Sequence, residues 1–230
     1  MDHDEVLCVV VAIILLPIFL ILLRLIWILP ALRLPSTISE KRNLNEIPNG
    51  STMAIFLGSG GHTGEMLRLI SKLNLSKFTR TWIYSSGDNT SIKKATEFEE
   101  AQLNDNNEHH QPQYLCIPRA RKVGEPILSS IISTLYSFII SAIKLVFLKR
   151  KPSILLLNGP GTTVPIAYII FTLKFLGICN TKIIYVESLA RVNKLSLSGL
   201  LLLPICDRFI VQWESLAIKY KRAEYYGILI

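Results

Sequence analysis

MAIFLGSGGHTGEM, Met53–Met66, reads as five buried apolar residues, then a turn with glycines at 58, 60 and 61 and a histidine at 62. Apolar spacing after the turn predicts a helix to about Leu73. A strand feeding a glycine-rich turn that opens a helix is the start of a doubly wound α/β sheet.

The rest of the chain repeats this alternation. TWIYSS (Thr81–Ser86) precedes a charged helical stretch at Ser91–Leu103, and YLCIP (Tyr114–Pro118) precedes a long apolar helix from Ile127 to Leu148. SILLL (Ser153–Leu157) precedes a helix at Thr163–Leu176, and KIIYV (Lys182–Val186) and RFIVQW (Arg208–Trp213) complete the series. Strands apolar throughout and separated by helices predict a parallel sheet covered on both faces. We therefore expect a Rossmann-like α/β domain with a doubly wound parallel sheet over residues 51–230.

Ligands of such sheets bind at the carboxyl ends of the strands, where polar and glycine-rich clusters should collect. GSGGHTGE, SSGDN, PRARKVGEP, NGPGTT and ESLARVNKLSLSG follow the first five strands in turn. Gly58, Ser59, Gly60, Gly61 and Thr63 bring backbone close to a ligand at a helix N-terminus, which favours phosphate or diphosphate. The Gly-Lys-Ser/Thr ending of a Walker loop is missing, whereas Gly58, Gly60 and Gly64, with Asp88 after the next strand, leave a dinucleotide site open. His62, at a helix N-terminus, reads either as a general base beside the diphosphate or as a cap or hydrogen-bonding group.

Arg119 and Arg121, with Lys122, read as a second diphosphate clamp or as a solvated basic loop. Asn158, Gly159 and Thr162 form an anion-facing corner or a tight connection. Glu187, Ser188 and Arg191 face sugar hydroxyls, or Glu187 and Arg191 pair at helical spacing. Tyr226, Ile228, Leu229 and Ile230, in the apolar tail AEYYGILI, read as a partner-docking strip or as a last strand or tail on its own domain.

Half of the residues are hydrophobic, with mean hydropathy +0.40, and the excess lies at the N-terminus. VLCVVVAIILLPIFLILLRLIWIL, residues 6–29, carries one charge, Arg24, and at about 1.5 Å per residue is long enough to cross a bilayer core of about 30 Å. It reads as a transmembrane anchor after a short acidic segment, residues 1–5, and before a polar linker, residues 30–50. Asp2, Asp4 and Glu5 lie on one side and Arg33, Lys41 and Arg42 on the other, which places the C-terminal domain in the cytoplasm. A net charge of +8 suits anionic headgroups; with no aromatic-interleaved basic motif, no nucleic-acid partner is expected. The four cysteines are unpatterned, no metal motif is visible, and neither disulfides nor a cofactor are expected. The helix from Ile127 to Leu148, with serines on one side and Lys144 within it, reads as lying in the membrane interface, as covering the sheet, or as both.

GSGGHTGEM, IPRARKVG, NGPGTTVPI, YVESLARVNKLSLSG and FIVQW, in this order, resemble the membrane-anchoring subunit of the eukaryotic two-subunit N-acetylglucosaminyltransferase of N-glycan assembly. That family is similar to the N-terminal half of the bacterial lipid-linked peptidoglycan N-acetylglucosaminyltransferase. The resemblance implies one half of a GT-B glycosyltransferase fold split over two chains, anchored in the endoplasmic reticulum membrane by a single span. It further implies an acceptor-binding role: a soluble partner subunit binds UDP-GlcNAc, and GlcNAc passes with inversion to GlcNAc-diphosphate-dolichol in a β1,4 link. His62 matches the family histidine assigned to the acceptor 4-hydroxyl. Glu125-Pro126 stands where the family usually has Gln-Ser, which adds a negative charge to the basic loop. Two other functions compete with this one: a membrane-anchored NAD(P)-dependent oxidoreductase, and a scaffold without catalytic residues.

Overall fold

The computed structural model describes residues 3–32, 50–75, 77–103, 111–119 and 127–230. Among the described residues, seven strands form one parallel sheet in the order β3-β2-β1-β4-β5-β6-β7. They are β1 (Ser51–Leu57), β2 (Phe78–Ser85), β3 (Gln113–Ile117), β4 (Ile154–Asn158), β5 (Lys182–Val186), β6 (Arg208–Val211) and β7 (Ala223–Tyr225). The helices are α1 (His3–Ile28), α2 (Gly61–Ser71), α3 (Asn89–Leu103), α4 (Ile127–Val146), α5 (Thr163–Phe175), α6 (Leu197–Leu202) and α7 (Glu214–Lys219). The expected doubly wound fold is present, and β1 and β4 flank the point where strand order reverses.

Side chains of β1 alternate between two cores. Ala54 and Phe56 pack with residues of α4, α5, α6 and α7 on one face, whereas Met53, Ile55 and Leu57 pack with α2 and α3 on the other. This period of two explains why β1 is apolar at successive positions: both faces are covered.

Val10–Ile28 within α1 is long and apolar enough to span a membrane, and its surface is almost wholly free of protein contacts. Its last turn is different. Ile28 is buried, Leu25 and Leu29 pack against the core of the α4/α5 face, and Arg24 Nε donates to Phe175 O at 3.2 Å. The single charge of the apolar run thus satisfies a carbonyl at the C-terminus of α5, where a cation is favoured. The last turn of α1 is therefore docked on the α4/α5 side of the sheet.

In α4, Ser137 and Ser141 are buried with Leu145, and Ser137 Oγ donates to Pro118 O at 2.7 Å. The outward face carries Leu135, Tyr136, Ile139 and Ile143, and Phe147, just past the helix, is 78% exposed. Two serines share the protein side with Leu145, while large apolar residues face out. This inverts the pattern of a helix that merely covers a sheet in water.

Candidate functional site

The turns after β1 and β4 interlock at the switch point. A Cβ on Gly58 would lie 2.7 Å from Pro160 Cδ and 2.8 Å from His62 Cβ, so close approach of the two turns requires glycine there. A Cβ on Gly159, whose φ is 79°, would lie 2.5 Å from His62 Cε1 and 2.6 Å from Cγ. The imidazole therefore rests directly on the Gly159 backbone. Ser59, Gly60 and Gly61 are exposed at the start of α2, and Gly60 has φ 65°. Their amide-rich rim is uncovered by side chains, which suits an anion at a helix N-terminus.

His62, the second residue of α2, is about one-third exposed, but its Nδ1 atom is buried. Nδ1 stands 3.6 Å from Glu65 Oε2, one turn along the helix. The other carboxylate oxygen of Glu65 accepts from Ser188 Oγ at 2.9 Å. Glu65 was absent from the residues singled out in the sequence; its position three after His62, on one helix face, was the available signal.

Thr63 was expected at the diphosphate, but its side chain turns inward. Its Oγ1 donates to Gly58 O and shares a 2.6 Å hydrogen bond with Ser91 Oγ. Asp88 in turn accepts from Ser91 N at 3.1 Å and from Ser91 Oγ at 2.7 Å, as the capping residue before α3. The acidic residue on which a dinucleotide reading depends is thus buried and engaged in closing a helix.

Glu187 is 0% exposed, and both of its carboxylate oxygens are engaged within the protein. It accepts from Tyr185 OH at 3.3 Å, Ser188 N at 3.1 Å, and Ser196 N and Oγ at 3.0 Å each. Burial, and secondarily the charge of Glu187, raises the Tyr185 phenol far above its usual range, so the hydroxyl remains a donor. Arg191 is exposed, and the segment between Glu187 and Arg191 is not helical, so the expected helical pairing does not form. Asn158 is also buried and donates to Val186 O at 3.2 Å, joining β4 to β5. Gln212 Nε2 donates to Glu187 O at 3.1 Å and Trp213 Nε1 to Leu189 O at 2.7 Å, while Asn158 Oδ1 and Gln212 Oε1 are buried without a hydrogen-bond partner.

The Arg119 amide donates to Ser86 Oγ at 3.2 Å, which ties the turn after β3 to the turn after β2 on the same rim. Arg121, Lys122 and Glu125-Pro126 lie outside the described residues. Thr162, half-buried, precedes α5 without a side-chain cap. At the far edge of the sheet, β7 is followed by Tyr226 and Ile228, both exposed, and by half-buried Leu229 and Ile230. Leu229 O accepts from Lys72 Nζ at 2.9 Å, and Tyr226 is held by Glu224 and Arg208.

The chain matches the family model "Oligosaccharide biosynthesis protein Alg14 like" over residues 53–229. It is 57% identical to the UDP-N-acetylglucosamine transferase subunit ALG14 of Debaryomyces hansenii over the whole of both chains, and 57% identical to that of Candida albicans, also over both whole chains. The Rattus norvegicus subunit is 43% identical over 77% of this chain and 82% of its own length. Among solved structures, Acinetobacter baumannii MurG aligns with a TM-score of 0.45 at 14% identity, covering 71% of this chain and 41% of its own. LpCGTa in complex with UDP aligns with a TM-score of 0.48 at 13% identity, covering 79% of this chain and 53% of its own. This chain thus spans about half or less of each of those two structures. With the family model matched from the first strand to the penultimate residue, the chain belongs to the Alg14-like family of oligosaccharide biosynthesis proteins.

Proposed function

We propose that this chain is the membrane-anchored, acceptor-binding subunit of a two-subunit transferase that moves GlcNAc from UDP-GlcNAc to GlcNAc-diphosphate-dolichol. The observation that carries this reading is the uncovered glycine rim at the switch point, with His62 pressed onto Gly159 between the turns after β1 and β4. Residues 1–5 are lumenal, 6–29 form the anchor, 30–50 the linker, and 51–230 the domain on the cytoplasmic face of the endoplasmic reticulum. The inside-out pattern of α4 supports a membrane-facing surface beside α1, since α1 and α4 both pack on the same side of the sheet as α5.

Amides of Gly58 to Gly61 hold the acceptor diphosphate, and Arg119 and Arg121 supply positive charge to it. His62 takes the proton of the acceptor 4-hydroxyl as that oxygen attacks the anomeric carbon of the donor. The bond from that carbon to UDP breaks, UDP departs, and the configuration inverts to the β link. One seven-stranded sheet is the size of a single nucleotide-fold half, so the donor site belongs to a partner. Tyr226, Ile228, Leu229 and Ile230 present the strip on which it docks.

Co-purification of the full chain with its soluble partner, followed by transfer assays with each subunit alone and with both, tests this division. Transfer only with both subunits is expected; transfer by this chain alone contradicts it. Binding of a nicotinamide cofactor would favour the oxidoreductase reading, which the engaged Asp88 disfavours.

A further inference from the structure

We infer that Glu65 is the positioning residue of His62, fixing which imidazole nitrogen receives the acceptor proton. The inference rests on the reading of His62 as base. Its observations are separate from that reading: Glu65 Oε2 faces His62 Nδ1 at 3.6 Å, and both atoms are buried without a hydrogen-bond partner. The remaining oxygen, Oε1, is held by Ser188 Oγ at 2.9 Å, reaching across from the turn after β5. Gly159 backs the ring on one side, so the imidazole has little room to turn.

A carboxylate oxygen opposite an imidazole lone pair is repelled, and opposite an N–H it is attracted. The proton of neutral His62 therefore sits on Nδ1, which leaves the lone pair on Nε2. Nδ1 is sealed, so the exposed third of the side chain lies on its other atoms. The spacing of 3.6 Å is longer than a hydrogen bond; catalytic hydrogen bonds commonly tighten when substrate closes the site. During transfer the acceptor hydroxyl proton moves to Nε2, its oxygen pair forms the bond to the anomeric carbon, and UDP leaves with the electrons of the broken bond. The imidazolium formed keeps its Nδ1–H directed at the Glu65 carboxylate. Ser188 acts one step further out, by holding the carboxylate in this rotamer.

The test uses the full chain with its partner subunit in detergent micelles, a GlcNAc-diphosphate-lipid acceptor and UDP-GlcNAc. Glu65→Gln is expected to lower kcat about 10- to 100-fold with the acceptor KM unchanged. Imidazole ¹⁵N spectra of histidine-labelled complex, assigned with His62→Asn, are expected to show the Nδ1–H tautomer in the wild type and its loss in Glu65→Gln. Wild-type kcat in Glu65→Gln beside an inactive His62→Asn overturns the positioning role alone. Full activity in His62→Asn overturns the base reading and this inference with it. Lost kcat with an unchanged His62 tautomer overturns it too, leaving Glu65 a structural residue. Should Glu65→Gln fail to co-purify with the partner, Ser188→Ala decides. A lower kcat with a mixed His62 tautomer supports the relay, and wild-type values of both overturn it.

Discussion

The turns after β1 and β5 end neighbouring halves of the same sheet and carry polar residues of similar kind, yet they are built in opposite ways. After β1, Ser59, Gly60 and Gly61 are exposed and His62 keeps part of its ring in the open. After β5, Glu187 is enclosed and its oxygens are saturated by Tyr185, Ser188 and Ser196. A buried carboxylate is tolerated only when its lone pairs are met, so the second turn is a brace. The first turn leaves its donors for something else. A polar cluster at a strand end is thus a site only when its hydrogen-bonding capacity is unspent.

Substitutions in the two turns should therefore separate rate from stability. Apart from loss of His62 itself, the largest effect is expected from Gly159→Ala, in the turn after β4 on which the His62 ring rests. A methyl group there meets the His62 ring, and a φ of 79° strains any non-glycine residue, so transfer by the two-subunit complex should fall about 100-fold or more. Near-normal kcat in that variant would mean that the imidazole position is unimportant.

Glu187→Ala should do the reverse. It strands donors from three residues in the interior and is expected to cost about 2–4 kcal/mol in urea unfolding, with the folded fraction still binding the acceptor. Unchanged stability with lost acceptor binding would restore Glu187 as a sugar ligand. Thr63→Val removes one hydroxyl from the bracing of the first turn, leaving Gly58 O and Ser91 short of a partner. About 1–2 kcal/mol of destabilisation is expected, measured by the same titration. Arg191→Ala, at an exposed position, should leave stability within about 0.5 kcal/mol; a raised acceptor KM alone would mark it as a ligand contact.

Most of the fold was legible because apolar strands buried on both faces leave a strong local pattern. MAIFL and KIIYV lie within or coincide with β1 and β5, and the glycine turn sits where the strand-to-helix switch was expected. The strand β7 carries Glu224 at its centre over three residues, and α6 and α7 have six residues each, too short for a period to declare itself. The site was legible only in part. Glycine marks a close backbone approach locally, but the Ser188 hydroxyl that holds Glu65 comes from 123 residues away. No local spacing reports such a contact. Nor does residue type tell whether Glu187 faces solvent or Ser196. The serine stripe of α4 was visible, but which side faced the sheet depended on Pro118 and on the packing of Leu145.

We propose that transfer occurs at the open turn after β1, with His62 taking the acceptor proton. Single-turnover transfer by the intact complex, at saturating donor and acceptor, with acceptor affinity measured alongside, tests it most directly in His62→Asn. Unchanged acceptor affinity and transfer slowed about a hundred- to ten-thousand-fold are expected. Transfer at the wild-type rate in that variant would contradict it.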